Sequence, residues 1–277
     1  KLCHHGSILI VYRLKERYPM PQTKIVFFDI DGTLIDMQAK KITPKMLETL
    51  HRLQDRGIKI CIATGRSPMV LPKIDGVAFD AYLTFNGSLC YDRKGVIFSN
   101  PIPHKDVVRF IQNAAALGRP VCVSTRDRLA ANGTDTDLTD YFFIANEPVP
   151  VADDFDAVCA EDIYQLMLGC RPKDYPALLD GTPGAKIAAW WDRAVDVIPA
   201  GGGKGIGIEK MLAYYGLDKA EALAFGDGNN DREMLQAVGT GVAMENGSPE
   251  LKALADEICG PVYEDGIYHY CADKGLI

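Results

Sequence analysis

Two aspartates separated by one residue follow an apolar stretch early in the sequence. Residues 24–28 are β-rich and apolar, and residues 29–33 (DIDGT) come directly after them. Side chains two residues apart on an extended chain point the same way, so Asp29 and Asp31 can face one crevice. Adjacent carboxylates repel each other, and a divalent cation, most naturally the oxygen-binding Mg²⁺, relieves that repulsion. Taken alone, the pair is explained equally well by a solvated Asp-Gly turn at the end of a strand.

A second acidic group makes the solvated turn a weaker explanation. Residues 225–231 (FGDGNND) again follow an apolar strand and open a helix. They place Asp227 and Asp231 at the carboxyl end of that strand, which is the edge where open α/β sheets bind ligands. A metal site needs a third carboxylate of this kind, so both aspartates join the first pair as candidate metal ligands.

Two further segments offer groups that bind phosphate. Thr64, Gly65 and Arg66 follow another apolar run and supply a hydroxyl and backbone N–H donors suited to phosphate oxygens. Lys204 lies in a glycine-rich stretch, residues 201–205 (GGGKG), at the start of a predicted helix, where anions bind. A lysine in such a loop is by itself most often solvated, so this interpretation depends on the other three segments.

Several other catalytic motifs are absent from the sequence. A nucleotide-binding P-loop requires Ser or Thr after Gly-Lys, but Gly205 follows Lys204. No segment fits G-x-G-x-x-G, G-x-S-x-G or H-E-x-x-H, and the five histidines are not spaced as zinc ligands. The sequence therefore gives no support to a P-loop nucleotide site, a serine-hydrolase elbow or a zinc protease.

Composition and charge limit the class of protein. The 277 residues are 47% hydrophobic and 24% charged, as in ordinary globular proteins. A net charge of −7 opposes a nucleic-acid-binding surface, since such surfaces depend on Lys and Arg. No apolar run exceeds five residues, whereas a membrane helix needs about 20. Eight cysteines without a C-x-x-C pair are typical of reduced core thiols, so we expect a cytoplasmic protein. We also expect a monomer or a weak homodimer.

Alternating helix and strand signals place these segments in a parallel α/β sheet. Thr43 can cap a helix whose first residue is Pro44, its apolar residues share one face, and Gly57 ends it. The apolar run 58–63 then completes a β-α-β unit. A second such block closes the sequence, with helices over 208–215 and 234–238, strands over 222–225 and 241–244, and a helix start at 248–249.

The middle of the chain differs in composition and in its pattern of predicted secondary structure. Between about residues 87 and 199, Gly and Pro are dense, and short strands such as 120–124 alternate with short helices such as 107–117. We interpret this segment as an inserted α+β domain, because it lacks the long apolar strands that one continuous sheet would require. The expected division is a core of residues 20–87 and 200–277 and a cap of residues 88–199.

Residues 1–19 stand apart from this pattern. They show no clean hydrophobic period, and Met20 comes shortly before the first strong strand signal, so we interpret them as a leader or an appended extension. A short ordered strand at residues 8–12 is the equally weighted alternative.

The four segments, in this order and each after a strand, resemble the signature of the haloacid dehalogenase-like (HAD) hydrolase superfamily. More narrowly, the chain from Met20 onward resembles the Cof-type branch, subclass IIB with a C2 cap, and Asn86-Gly87 and residues 264–266 also fit that branch. The resemblance implies a Rossmann-like, doubly wound parallel sheet with an inserted α+β cap. It also implies a Mg²⁺-dependent phosphatase that hydrolyses a small phosphorylated metabolite, such as a sugar phosphate, through an aspartyl-phosphate.

The same resemblance implies roles for individual residues. Asp29 would be the nucleophile and Asp31 the general acid and base. The metal ligands would come from the acidic set Asp29, Asp31, Asp227 and Asp231, with Asp231 either a ligand or a residue that supports the metal site. The phosphate ligands would be Ile30, Thr64, Gly65, Lys204 and Asn230. The candidates for contact with the rest of the substrate are Arg66 and Asn86.

The position of the insertion limits the substrate. Only residues 32–63 separate Asp31 from Thr64, and one helix and one strand fill them, so the large insert comes after Thr64 and must cover the site from there. Such a roof suits small diffusible substrates and disfavours proteins. Basic residues of the cap could contact substrate, although each is more often a solvated charge: Arg126, Arg128, Lys186 and Arg193.

Two other functions fit the same sequence. A phosphomutase would use the same cap type and the same Asp-x-Asp pair, and release of inorganic phosphate from a hexose phosphate would distinguish a hydrolase from it. A non-catalytic binding protein could retain the fold, but buried carboxylates without a chemical role are costly to keep.

Overall fold

The computed structural model describes residues 22–144, 146–189 and 191–277, and these form two β-sheets. The interpretation of residues 1–19 as a leader, the alternative strand at 8–12 and the start at Met20 all lie outside the described residues. None of the described helices is long and apolar enough to cross a membrane.

The secondary structure alternates as the sequence predicts. The strands, in chain order, are β1 (Ile25–Phe28), β2 (Lys59–Ala63), β3 (Ala81–Thr84), β4 (Leu89–Asp92), β5 (Gly95–Ser99), β6 (Cys122–Ser124), β7 (Leu129–Ala131), β8 (Gln165–Gly169), β9 (Ala185–Ala188), β10 (Ala194–Pro199), β11 (Ala222–Gly226), β12 (Thr240–Met244) and β13 (Glu257–Cys259). The helices are α1 (Pro44–Asp55), α2 (His104–Ala116), α3 (Thr136–Ile144), α4 (Phe155–Val158), α5 (Tyr175–Leu178), α6 (Lys204–Tyr215), α7 (Arg232–Ala237), α8 (Pro249–Lys252) and α9 (Gly266–Asp273).

The larger sheet has the strand order β13-β12-β11-β1-β2-β3-β4-β5. The six strands from β13 to β3 pair in parallel, and β1 lies between β11 and β2. Helices α6, α7 and α8 pack on one face, and α1 and α9 pack on the other. Because both faces are covered, all four residues of β1 are fully buried, which explains its unbroken apolar sequence. The prediction of a doubly wound α/β sheet is confirmed.

Local sequence signals determine where helix α1 begins and ends and which of its faces is buried. The Thr43 hydroxyl accepts a hydrogen bond from the backbone N–H of Met46 at 3.1 Å, and Pro44 is the first helical residue. Leu50 and Leu53 are buried against the sheet, and the helix ends before Gly57. Capping, the apolar stripe and the terminal glycine therefore agree with the predicted helix.

A hairpin at the start of the expected cap belongs instead to the larger sheet. Strand β4 pairs antiparallel with β3, and β5 pairs antiparallel with β4, so residues 89–99 extend the core sheet. Leu89 and Cys90 are buried, and Cys90 packs in the same core cluster as Ile25 of β1. The expected boundary at residue 88 thus comes too early, because Gly and Pro mark turns without specifying which sheet a hairpin joins. We use the name cap for residues 100–199.

The cap contains a five-stranded antiparallel sheet of order β7-β6-β8-β10-β9. One face packs against α2 and α5, where Phe110 and Leu178 meet Leu166 of β8. Helix α3 packs on the other face through Leu138 and Phe142. This is an α+β layer with a hydrophobic core separate from that of the larger sheet.

Candidate active site

The predicted site residues meet at one edge of the larger sheet. Asp29 follows β1, Thr64 follows β2 and Asp227 follows β11, and these three strands are parallel neighbours. Their carboxyl ends therefore open on the same crevice. Lys204, the first residue of α6, also reaches this crevice.

Lys204 is an ammonium held between two carboxylates. Its Nζ lies 2.6 Å from Oδ1 of Asp29 and 2.5 Å from Oδ1 of Asp231, and its side chain is fully buried. Burial alone would lower the pKa of Lys204, but the charges of Asp231 and Asp29 outweigh it and raise the pKa. The lysine is therefore charged at any physiological pH.

The carboxylates of this site outnumber its cations. Burial raises the pKa of Asp29 to about 8, and the charges of Asp231 and Asp227 add to the effect while Lys204 opposes it. Burial and the charge of Asp231 also raise the pKa of Asp227 to about 6. Three carboxylates face one ammonium, so the site favours a further positive charge.

The donor atoms fit a hard divalent cation. One oxygen each of Asp29, Asp227 and Asp231 lies within 4.8 Å of the others. Both oxygens of Asp231 already have protein donors, since Oδ1 accepts from Lys204 and Oδ2 from the backbone N–H groups of Asp227 and Gly228. Asp29 and Asp227 are thus the better placed to bind a cation, and a set made only of oxygens suits Mg²⁺.

The carboxylate of Asp31 has Arg66, not Lys204, as its partner. Its Oδ2 accepts from Arg66 Nε at 2.8 Å and its Oδ1 from Arg66 Nη2 at 2.6 Å. The sequence analysis drew the metal ligands from all four aspartates, with Asp231 also considered as a supporting residue. The role of Asp31 as a ligand stays a prediction, and its carboxylate is turned to Arg66. A guanidinium fork matches both carboxylate oxygens, which accounts for the choice of partner.

The residues predicted to bind phosphate form a second group beside Asp29. Thr64 accepts at its hydroxyl from the backbone N–H of Arg66 at 3.1 Å, and its carbonyl accepts from Asn86 N at 3.0 Å. Asn230 donates from Nδ2 to Oδ1 of Asn86 at 3.2 Å. A Cβ on Gly65 would lie only 3.2 Å from the Asn86 amide, so the lack of a side chain at Gly65 lets the Asn86 amide pack against the backbone there. Ile30, which was also predicted to bind phosphate, has a buried side chain.

Two polar residues at the site were missed by the sequence reasoning. Thr33 donates its hydroxyl proton to Oδ1 of Asp227 at 3.1 Å. Asn246 donates from Nδ2 to the carbonyl of Gly32 at 2.8 Å. Asn246 follows β12 and so lies at the same sheet edge as the other site residues, which was the available signal.

Close backbone packing requires glycine at two positions. Gly32 has φ +87°, and a Cβ there would lie 2.2 Å from Oδ2 of Asp227. Gly87 has φ +90°, and a Cβ there would lie 2.2 Å from the carbonyl oxygen of Gly203. The first contact brings the loops after β1 and β11 together, and the second brings the turn between β3 and β4 against the loop before Lys204.

The basic residues of the cap have protein partners. Lys186 donates from Nζ to the carbonyl of Gly202 at 2.6 Å, which ties the cap to the loop before Lys204. Arg128 pairs with Asp154, and Arg193 pairs with Asp137 and Asp140. Arg126 lies over the ring of Tyr91. Of these four, Lys186 contacts the loops of the site.

Comparison with known proteins agrees with this geometry. Residues 26–271 match the family described as haloacid dehalogenase-like hydrolase. The chain belongs to this family. It is an enzyme of the HAD hydrolases, and the predicted membership is confirmed.

Similar proteins carry phosphatase names. YkrA of Bacillus subtilis (strain 168), a protein given the name of a phosphatase, is 34% identical over 257 residues, which cover 92% of this chain and 99% of YkrA. A phosphatase of the HAD superfamily from Bacteroides thetaiotaomicron has a structure that is 30% identical with a TM-score of 0.88, covering 96% of this chain and 100% of that one. A subclass IIB sugar phosphatase is 28% identical with a TM-score of 0.82, covering 92% of this chain and 100% of that one.

Proposed function

We propose that this HAD hydrolase is a Mg²⁺-dependent phosphatase that acts on a small phosphorylated metabolite such as a sugar phosphate. The observation that carries the proposal is the buried Asp29 carboxylate, held by Lys204 at the carboxyl edge of the sheet beside Asp227. This arrangement supplies a nucleophilic oxygen together with positive charge for the phosphate oxygens.

The proposed reaction has two displacements at phosphorus. In the first, an oxygen of Asp29 attacks, the bond from phosphorus to the leaving oxygen breaks, and Asp31 gives that oxygen a proton. In the second, water attacks the aspartyl-phosphate, Asp31 takes a proton from the water, and the bond from phosphorus to Asp29 breaks to release phosphate. Asp31 ends each cycle in the state in which it began.

The surrounding residues would hold the transferred group. Lys204 Nζ lies against Asp29, where it can also face a phosphate oxygen, and the Thr64 hydroxyl and the Asn230 amide are held in the neighbouring loops by Arg66 and Asn86. Fixed donors of this kind stabilise charge that develops on the phosphoryl oxygens. Asp29 and Asp227 would hold Mg²⁺, which supplies positive charge to the phosphoryl oxygens when bound.

The cap supports a small substrate. The contact of Lys186 with Gly202 brings the cap sheet over the loop that carries Lys204. Relatives of the chain include proteins named HMP-PP phosphatase and 5-amino-6-(5-phospho-D-ribitylamino)uracil phosphatase, and each of these names refers to a small phosphorylated substrate. We place the enzyme in the cytoplasm because the seven cysteines of the described residues are buried and free, as in a reducing compartment.

Phosphate release tests the proposal. About a hundred phosphorylated metabolites would be incubated with the enzyme, with and without Mg²⁺, and free phosphate measured. We expect release from hexose or pentose phosphates that depends on Mg²⁺ and is lost in Asp29→Asn. Conversion of a hexose phosphate to its isomer without phosphate release would instead identify a mutase, and binding without turnover would identify a non-catalytic protein.

A further inference from the structure

The ion pair between Arg66 and Asp31 joins a site residue to a group outside the acidic cluster. Nε and Nη2 of Arg66 each donate to a different oxygen of Asp31, at 2.8 and 2.6 Å. The two side chains are only about one-third exposed. A fork of this kind fixes both the position and the plane of a carboxylate, which one hydrogen bond would not do.

Arg66 is itself held at three further points. Its Nη1 donates to the carbonyl of Val70 at 3.0 Å, and its backbone N–H donates to the Thr64 hydroxyl at 3.1 Å. Its carbonyl accepts from the backbone N–H of Phe85 at 3.0 Å. All three guanidinium nitrogens thus have protein partners, so the arginine is a rigid support for Asp31.

The same residue connects Asp31 to the cap. Phe85 lies in the turn between β3 and β4, and its φ of +51° is rare for an aromatic residue. Its ring stacks on Tyr164 of the cap, with centroids 5.2 Å apart and planes 11° apart. The Tyr164 hydroxyl lies 2.9 Å from the Ser99 hydroxyl. A continuous set of contacts therefore runs from the cap through Phe85 and Arg66 to Asp31.

We propose that Arg66 is a positioning residue that acts through Asp31, and that it holds this carboxylate in the orientation needed for proton transfer. The inference rests on the proposed function, because it assumes that Asp31 exchanges protons with the leaving oxygen and with water. It differs from the sequence interpretation, in which Arg66 contacts substrate. A substrate-binding arginine would have its donors free, whereas the Nε and Nη2 donors that form the fork are used by Asp31.

Leaving groups of different acidity distinguish the two roles. An alkyl phosphate needs a proton on its departing oxygen, whereas p-nitrophenyl phosphate does not. Arg66→Met should therefore lower kcat about 10- to 100-fold for the best alkyl phosphate of the phosphate-release panel, since misplacing a proton donor by about 1 Å costs up to about 100-fold. For p-nitrophenyl phosphate the loss should stay below about threefold.

A double-mutant cycle with Asp31→Asn makes the test specific. If Arg66 acts through Asp31, Arg66→Met should change kcat less than about twofold once the carboxylate is gone. Arg66→Lys should recover only part of the activity, because an ammonium keeps the charge but lacks the fork. Arg52→Met, which removes an exposed arginine paired with Glu48 on α1, is the matched control and should retain full activity.

Each contrary result has a definite meaning. Equal losses from Arg66→Met in both backgrounds, a rise in KM alone, or full activity of Arg66→Lys would overturn the positioning role while leaving the phosphatase intact. No effect of Asp31→Asn on alkyl phosphates would overturn the proposed role of Asp31 and, with it, this inference. Circular dichroism and the melting temperature would be measured for every variant, and the partly exposed position of Arg66 lets both substitutions fold.

Discussion

Lys204 and Asp231 form an ion pair from which solvent is completely excluded, and the same ammonium also binds Asp29. Asp29, from the first part of the sequence, and Asp231, from the last part, thereby bind the same ammonium. Because an isolated buried charge is costly, the three side chains depend on one another for stability as well as for chemistry.

Replacing Lys204 should affect both catalysis and stability. Lys204→Met leaves Asp29 and Asp231 without a counter-charge, so we expect loss of turnover and a decrease of about 3–5 kcal/mol in the free energy of unfolding. Urea denaturation and phosphate release would measure the two effects. Lys210→Met, an exposed position on the same helix, is the control and should change neither. An active and stable Lys204→Met enzyme would contradict the assignment.

Asp29→Asn should abolish turnover without unfolding the protein. The amide has nearly the shape of the carboxylate but is not a nucleophile, so activity should fall below about a thousandth of wild type. Rates with p-nitrophenyl phosphate and circular dichroism would check this. Retention of more activity in a folded variant would mean that another group attacks phosphorus.

The metal preference follows from the donor set. Mg²⁺ binds a compact octahedron of oxygens at about 2.1 Å, whereas Ca²⁺ accepts more oxygens at longer distances. We expect Mg²⁺ to be required and Ca²⁺ to inhibit, because Ca²⁺ could engage both oxygens of Asp29 and spoil the attack geometry. Full activity in excess EDTA, measured after dialysis, would show that the carboxylate group works without a metal.

Alanine substitution of two glycines with positive φ distinguishes the cost of backbone strain from the cost of a steric clash at the site. Gly57, with φ +75°, has no atom within 4 Å of an added Cβ, so Gly57→Ala should cost about 1 kcal/mol and leave activity intact. Gly32→Ala has similar strain, but its Cβ would also collide with Asp227. It should therefore destabilise the protein more and reduce activity at least about tenfold. Equal behaviour of the two variants would mean that Asp227 moves aside freely.

Asp137 in the cap should give stability that depends on pH. Its carboxylate accepts from Arg119, Arg171 and Arg193, and the residue is buried in the first turn of α3. Burial alone would raise the pKa of Asp137, but hydrogen bonds from Arg171 and Arg193 outweigh it and lower the pKa below its ordinary 3.8. The unfolded chain then binds a proton more readily, so this stabilisation is present above about pH 4 and is lost as the pH falls further.

The measurement compares unfolding of two proteins over pH. Asp137→Asn should lower the free energy of unfolding by about 1.5–3 kcal/mol at pH 7, and the difference from wild type should shrink towards pH 3. Asp127→Asn, at an exposed position of the same cap, is the control and should show no such trend. A difference that stays constant over the whole range would rule out a charge effect at Asp137.

The location of the main site residues could be predicted from sequence, and their pairing could not. Asp29, Thr64 and Asp227 each follow an apolar strand, and parallel strands end at one edge, so their proximity follows from topology alone. The choice of Asp31 to pair with Arg66, rather than with the acidic group, depends on side-chain rotamers that no spacing encodes. The contact of Asn246 with Gly32 joins residues 214 positions apart, beyond any local pattern.

The cap begins at Asn100 and ends just before Gly201, and these two residues lie close together, since a Cβ on Gly201 would be 3.9 Å from Nδ2 of Asn100. This proximity has a consequence for how the cap could have arisen. The chain leaves the larger sheet and returns to it through neighbouring points, so everything between them is a detour that produces almost no net displacement. Folded units are tolerated as insertions where their ends lie close together, because the host needs no rearrangement to admit them. The parallel sheet with its acidic edge is thus complete in outline without the detour, and the intervening segment is free to vary in length and sequence while the machinery for phosphoryl transfer stays the same.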